Sequence, residues 1–389
     1  MRHLAAFVLL VAFAVPCQAQ PKPNTLTPKE IADGWILLFD GETTLGWEVD
    51  AGALKVAHGD LQIGGTKAVQ ARTSIRFCSY ELRYDYLVRP EGEWKGTGPD
   101  SRYAGFFLPQ AKMAFGSRPT KSGQKEIWRS EVFYVDIEKR VFKHASILDG
   151  HLQLKEGEAV RPLWEIDAGT ILLLRNIKLR PLNTKPLFNG KDLDGWKEFP
   201  GKKSKFAVID NAINVKDGPG DLQTAGKYKD FILQVDCISH GKHLNSGIFF
   251  RCRDGEYQNG YEAQIRNEFK DEPQKYLVEE YDPKTNKLIG KKEVLSKAFD
   301  FGTGAIYRRQ PARKQMSKDG EWFTMTIVAH GNHFATWVNG VQVADWTDNR
   351  PKSDNARTGC RLEGGHISIQ GHDPATNLSF KNFRIAEMK

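Results

Sequence analysis

The chain has 389 residues, 40% of them hydrophobic and 27% charged, with a formal net charge of +8. That length suggests two or three domains, and that balance excludes a disordered or low-complexity chain. The charge raises nucleic acid as a partner. However, Lys and Arg are dispersed, their clusters at Lys284–Lys292 and Arg308–Lys318 read as solvated loops, and no nucleic-acid motif accompanies them, so no nucleic-acid partner is expected.

In chain order the first element is a targeting segment. Arg2 and His3 form a polar n-region, Leu4 to Val15 is apolar, and Cys17-Gln18-Ala19 offers a cleavage site before Gln20. Residues 1–19 are therefore expected to be a cleavable signal peptide, giving a periplasmic or secreted protein. The apolar run is too short for a permanent anchor, Val15 and Pro16 fit a lipobox poorly, and no later stretch predicts a membrane span. Residues 20–26 are a polar leader, and Thr27-Pro28-Lys29-Glu30 is a capping box that starts a helix of about two turns, closed by Gly34.

Leu37-Leu38-Phe39-Asp40-Gly41-Glu42-Thr43-Thr44-Leu45-Gly46-Trp47 comes next and has a counterpart further on. Leu187-Phe188-Asn189-Gly190-Lys191-Asp192-Leu193-Asp194-Gly195-Trp196 matches it, with Gly41 and Gly190, and Trp47 and Trp196, each 149 residues apart. Asn176-Ile177-Lys178-Leu179 likewise matches Asn382-Phe383-Arg384-Ile385. Two tandem copies of one domain are expected, at 20–182 and 187–389, joined by a Pro181–Pro186 linker. The first is shorter and has lost a segment that the second retains.

Within each copy the signals are those of strands. Tyr80 to Val88 and Phe231 to Cys237 alternate apolar and polar residues, as do Trp322 to Val328 and Phe334 to Val338, and Asn339-Gly340 is a type I′ hairpin signal into Val341–Trp346. No βαβ alternation occurs, so the fold class is all-β, as sandwiches or barrels with little helix. After cleavage Cys78, Cys237, Cys252 and Cys360 remain, at spacings that match no zinc template. A Cys237–Cys252 disulfide on neighbouring strands and buried free thiols are both open.

Alternation also sorts polar residues by face. Ile248, Phe250 and Cys252 share the core face of one strand, which leaves Arg251 on the other. Tyr261, Ala263 and Ile265 turn inward and leave Glu262 and Gln264 outward. Ile367 and Ile369 leave Ser368, Gln370 and His372 outward, and Trp337 lies opposite Phe334, Thr336 and Val338. If these strands share a sheet, Arg251, Glu262, Gln264, Gln370, His372 and Trp337 line one groove of the composition a sugar site needs. The bland reading is a solvated sheet face. Aligning Gly105 with Gly247 puts Pro109 at the place of Arg251. Aligning Glu131 with Glu262 puts Phe133 at that of Gln264, and Ile171 to Leu174 has no Gln-x-His, so the second copy is expected to be the active one.

Other chemistries fit less well. Glu131, Asp136 and Glu138 have the wrong spacing for a sandwich glycosidase, and there is no nucleophile elbow, phosphate loop or His-Glu-x-x-His. His240 and His243 are a weak metal pair, and a divalent metal on Glu262 and His372 stays open, since one carboxylate and one imidazole do not define a site.

The second copy resembles the 3-keto-disaccharide hydrolase domain family, a former domain of unknown function. The residues are the Leu187–Trp196 block, Asn245-Ser246-Gly247-Ile248-Phe249-Phe250-Arg251, Tyr261-Glu262-Ala263-Gln264-Ile265, Gly304-Ala305-Ile306-Tyr307, Gly320-Glu321-Trp322, Val338-Asn339-Gly340 and Ile369-Gln370-Gly371-His372-Asp373. One departure stands out: where the family often has an acid after Glu-x-Gln-Ile, this chain has Arg266-Asn267. The resemblance implies concanavalin A-like jelly-roll β-sandwiches and cleavage of glycosides oxidised to a ketone at C3, by C2 deprotonation, β-elimination and hydration. It implies Glu262 or His372 as base and Arg251, or a metal, on the enolate, with Asn245, Gln264, Gln370, Trp337 and Tyr307 on the sugar. A non-catalytic, lectin-like carbohydrate-binding protein is the alternative. Oligomeric state is not written in the sequence.

Overall fold

The computed structural model describes residues 22–93, 100–109, 111–119, 125–144, 148–153 and 159–388; the expected signal peptide lies outside them. Their one α-helix is Pro28–Ala32, and its Thr27–Glu30 capping box forms as expected. None is long or apolar enough to cross a membrane. Everything else regular is strand. Each half stacks an eight-stranded antiparallel sheet on a five-stranded one, so the fold is two antiparallel sandwiches in tandem.

The two five-stranded sheets have the same order. In the first half it is Trp47–Val49, Val69–Thr73, Leu163–Ile166, Ala104–Leu108, Met113–Ser117. In the second it is Trp196–Glu198, Gly220–Thr224, His366–Gly371, Ser246–Cys252, Tyr261–Ile265. The repeated block has a structural task in both. Asp40 and Asn189 each accept from the backbone N–H groups two and three residues on, and Gly41 and Gly190 follow at φ +83 and +75, a region that glycine enters without penalty. Trp47 and Trp196 then donate from Nε1 to the carbonyls of Leu38 and Leu187, at 2.6 and 3.0 Å. Asn176 and Asn382 are matched too. Both sit at φ +53 in a bulge of the closing strand, and their Nδ2 groups donate to Asp85 and Asp236 at 2.6 and 2.7 Å. The segment peculiar to the second half includes a hairpin, Phe269–Tyr281 with Leu288–Ala298. Lys284–Lys292 therefore runs from its turn into a strand, where a loop was expected.

The halves share a core. Ile232, Val328, Ala335 and Trp337 of the second pack in one cluster with Ile36, Phe77 and Tyr80 of the first. Arg313 pairs with Asp40, and the Ser74 hydroxyl donates to Asp345 at 2.6 Å. The Asn339-Gly340 turn has both residues at positive φ, as its type requires, and the carbonyl of Gly340 accepts from Leu37 N–H at 2.7 Å.

Cys78, Cys237, Cys252 and Cys360 are free and buried. Cys237 and Cys252 lie in different sheets, so the neighbouring-strand disulfide is not formed. Burial pushes the Cys237 and Cys252 thiols well above their ordinary range. A thiol reagent at neutral pH should therefore leave the native protein almost unlabelled, while denaturation should expose all four; rapid labelling of Cys252 would show its strand to be turned over.

Candidate functional site

The polar residues of the second half converge on the outer face of its five-stranded sheet. Asn245, Phe249, Gln258, Glu262, Gln264, Tyr307, Arg308, Arg357, Gln370 and His372 line one pocket of about 260 Å³ there. Strand pairing explains the set. Phe249 is directly opposite Glu262 and Gly247 opposite Gln264, while Ile248 opposite Ile369 places Gln370 beside Gly247. Directly paired residues share a face, so these form one patch. Gly247 makes room in it, since a methyl group there would lie 2.4 Å from Glu262 Oε1.

Six of the eight expected site residues are thus together: Asn245, Glu262, Gln264, Tyr307, Gln370 and His372. The other two are corrections. Arg251 was expected to face the groove, but its strand slips register against the neighbouring strand between Phe249 and Cys252, and Arg251 takes φ +53. Its side chain is fully buried away from the pocket. The guanidinium donates to the carbonyls of Lys229 (2.8 Å), Gly331 (2.7 Å) and Arg361 (2.9 Å) and pairs with Asp230 (2.7 Å). Trp337 does point away from its own half's core, but the first half covers it there; its Nε1 donates to Leu37 O at 2.9 Å.

Several pocket residues escape sequence reasoning. Asp300, at φ +45 in a loop, escapes it too; it does not line the pocket but holds residues that do. Its carboxylate accepts from Gln264 Nε2 at 3.3 Å, from Tyr307 OH at 3.3 Å and, at the long limit, from Asn245 Nδ2 at 3.5 Å. Arg308 and Arg357 bring cations from loops that carry no periodicity. The nearest signal was Gly304-Ala305-Ile306-Tyr307, which adjoins both Asp300 and Arg308. Arg266 and Asn267, where the resemblance called for an acid, are structural. Arg266 pairs with Glu268, and buried Asn267 accepts from Thr303 and Ser317 at 2.6 Å.

Glu262 is the electrostatic centre of the pocket. Burial first, and the Asp300 carboxylate second, push its carboxyl from 4.5 up to about 8, with Arg357 and Arg308 opposing. Among the described residues no donor reaches that carboxyl within hydrogen-bond distance, so its oxygens are free for a ligand. His372 is exposed at the rim, 3.4 Å from Asp373. Among the described residues no three His, Cys, Asp or Glu side chains gather as a metal site.

The first half has the same sheet without the patch, though not by the expected alignment. Glu131 lies in the eight-stranded sheet, and Ile171 to Leu174 does too. The strand that corresponds to Tyr261–Ile265 is Met113–Ser117, whose pairing with Ala104–Leu108 puts Ala114 at the place of Glu262 and Gly116 at that of Gln264. Leu163–Ile166 corresponds to His366–Gly371, with Glu165 at the place of Gln370. The Tyr103 hydroxyl lies over Gly105 and Gly116, 2.6 and 2.7 Å from where their methyl groups would stand, and so fills the space that Glu262 and Gln264 occupy in the second half.

The family model described as the 3-keto-alpha-glucoside-1,2-lyase-like domain matches residues 183–386. No curated protein matches the chain. Solved structures similar to it include a candidate glycosyl hydrolase from Parabacteroides distasonis ATCC 8503, 24% identical, covering 53% of this chain and 94% of that one, with a TM-score of 0.40. A carbohydrate-binding module from Bacillus subtilis is 13% identical, covers 50% of this chain and 97% of its own, and has a TM-score of 0.32. A β-agarase B from Zobellia galactanivorans is 12% identical over 53% of this chain and 94% of that one, with a TM-score of 0.34.

Proposed function

The chain belongs to the 3-keto-alpha-glucoside-1,2-lyase-like domain family, and from that premise we propose that its second half cleaves glycosides oxidised at C3, with Glu262 as the base. The observation that carries the reading is the Glu262 carboxyl: partly buried, free of protein donors, and with a proton affinity near neutrality. A base poised near the working pH suits abstraction of a weakly acidic C–H proton.

The steps follow from the substrate's own chemistry. The C3 ketone acidifies the C2 proton, which ionised Glu262 removes. The C–H electron pair enters the enolate and then becomes the C1–C2 double bond as the C1–O bond breaks. The leaving alkoxide takes a proton, from His372 at the rim or from Glu262 itself. Water then adds across the double bond, and the sum is hydrolysis. Arg308, beside Tyr307, supplies positive charge for the enolate, and the amides of Asn245, Gln264 and Gln370 hold hydroxyls. Arg251 and Trp337 have no part in it. The two halves are read as copies of one ancestral sandwich, the first kept as a structural partner, and the protein as exported to the periplasm or beyond.

The test is aglycone release from a 3-keto-glucoside and from its unoxidised parent. Release from the ketone alone supports elimination. Release from neither, with binding of both, leaves the lectin-like alternative, which needs the amides but no base. The electrostatics give a sharper check. If Glu262 must be ionised, kcat/KM should rise with pH to a plateau above about 8. Asp300→Asn removes the neighbouring negative charge, so the midpoint should move to lower pH by roughly one unit. A midpoint unchanged in this variant would mean that another group is the base.

A further inference from the structure

Two loops bring guanidinium groups to the pocket mouth, and both are built to keep them there. Ile306 and Gln310 exchange backbone hydrogen bonds of 3.1 and 2.9 Å, closing a tight turn in which Arg308 adopts φ +60. For a residue with a Cβ that region is disfavoured, and such strain gathers at functional sites. Arg357 is held from beneath. Buried Arg350 pairs with Asp348 and donates to the carbonyls of Ala356 and Gly359, on either side of Arg357, at 2.8 and 2.9 Å. Arg309 donates to the Arg357 carbonyl at 3.1 Å, which ties the two loops together.

Charge sets Arg357 apart from its neighbours. Arg309, Arg313 and Arg350 each have a carboxylate partner, at Glu279, Asp40 and Asp348. Among the described residues no carboxylate lies within salt-bridge distance of Arg357, and its guanidinium donates only to the carbonyl of Gln258. Lys202 has none either. Its Nζ sits 3.9 Å from the centre of the Tyr257 ring, against which Phe199 leans at 5.4 Å. Gln258, a pocket residue, donates to Tyr257 OH at 2.6 Å, so this aromatic shelf adjoins the pocket. Arg308 has a task in the elimination; Lys202 does not, and Arg357, besides opposing the rise of Glu262, engages only the Gln258 carbonyl.

We propose that this shelf binds an oxyanion, a carboxylate or a sulfate ester, on the leaving unit of the substrate, so that the protein favours acidic over neutral glycosides. The inference rests on the elimination reading of the same pocket. The Arg357 fork suits two oxygens of one anion, and Lys202, seated over Tyr257, adds a point charge.

Binding of D-glucuronate, glucose 6-sulfate and D-glucose to the full chain, measured by calorimetry at low and high salt, tests it. At least one acid should bind about tenfold or more tightly than glucose, as charge-assisted hydrogen bonds imply, and added salt should erode the advantage. Which acid wins tells carboxylate from sulfate. Arg357→Gln and Lys202→Gln, each with a thermal melt to show that it is folded, should each remove most of the preference. Equal binding of glucose and both acids, or a preference that survives both substitutions, overturns the proposal. Aglycone release from a neutral 3-keto-glucoside is measured in the same preparations. Cleavage without acid preference removes the shelf and leaves elimination standing; acid preference without cleavage of any 3-keto-glycoside supports the shelf and removes elimination.

Discussion

Glu262→Gln should lower kcat by about two to four orders of magnitude, the span of general-base catalysis, with little change in KM. The amide keeps the shape of the side chain and its place beside Phe249, but it cannot take a proton. Exchange of the C2 proton with deuterated solvent should stop with it. The same substitution has a second, opposite effect. The Glu262 carboxyl is raised from 4.5 to about 8 in the fold, so the folded state holds its proton more tightly than the unfolded chain does. Stability from this group is fully present below about pH 4.5 and is lost as pH rises through about 8. The full shift would correspond to ~5 kcal/mol, and water in the pocket screens part of it, which leaves about 2 kcal/mol. Glu262→Gln should therefore be more resistant to urea than the parent at pH 9, and the gap should close toward pH 5. A variant that keeps kcat within a few-fold, or that gains nothing at pH 9, would remove Glu262 from the role of buried base.

The strand faces were the legible part of the site. Glu262, Gln264 and Gln370 were found by alternation because their strands are regular and pair in register over those positions. Alternation fails at Arg251 because one residue in the left-handed region breaks the period. It fails differently at Trp337. The period places that ring correctly on the non-core face of its strand, but what covers that face is the other half of the chain, which no local pattern records. Asp300, Arg308 and Arg357 come from loops whose course is set by long-range hydrogen bonds, so nothing in their neighbours' periodicity marks them. The repeated Phe-Asx-Gly…Gly-Trp block was the strongest signal in the chain, and it proves to be a staple for each sandwich, remote from the chemistry. In the first half the alignment through Glu131 and Phe133 does not hold. The strand Met113–Ser117 has Ala114 and Gly116 at the places of Glu262 and Gln264, and Glu131 belongs to the opposite sheet.

Arg251→Met should destabilise the protein by about 3–5 kcal/mol, the cost of breaking a buried ion pair from one side. Three carbonyls, of Lys229, Gly331 and Arg361, lose their donor together, and Asp230 keeps only Gly331 N–H. These groups belong to three separate connecting segments that the guanidinium ties together, so the loss falls on their junction. At roughly 2–4 °C per kcal/mol for a unit of this size, the melting temperature should fall by about 10 °C. Arg251→Lys should recover only part of this, because an ammonium cannot present a planar fork to several acceptors at once. The distinguishing measurement is kinetic. Below its lowered melting temperature the Met variant should retain the parent's KM and pH midpoint, since Arg251 does not line the pocket. A variant as stable as the parent but with kcat or KM altered tenfold would return Arg251 to the enolate, the place the strand pattern gave it, and would mean that the bulge opens when substrate binds.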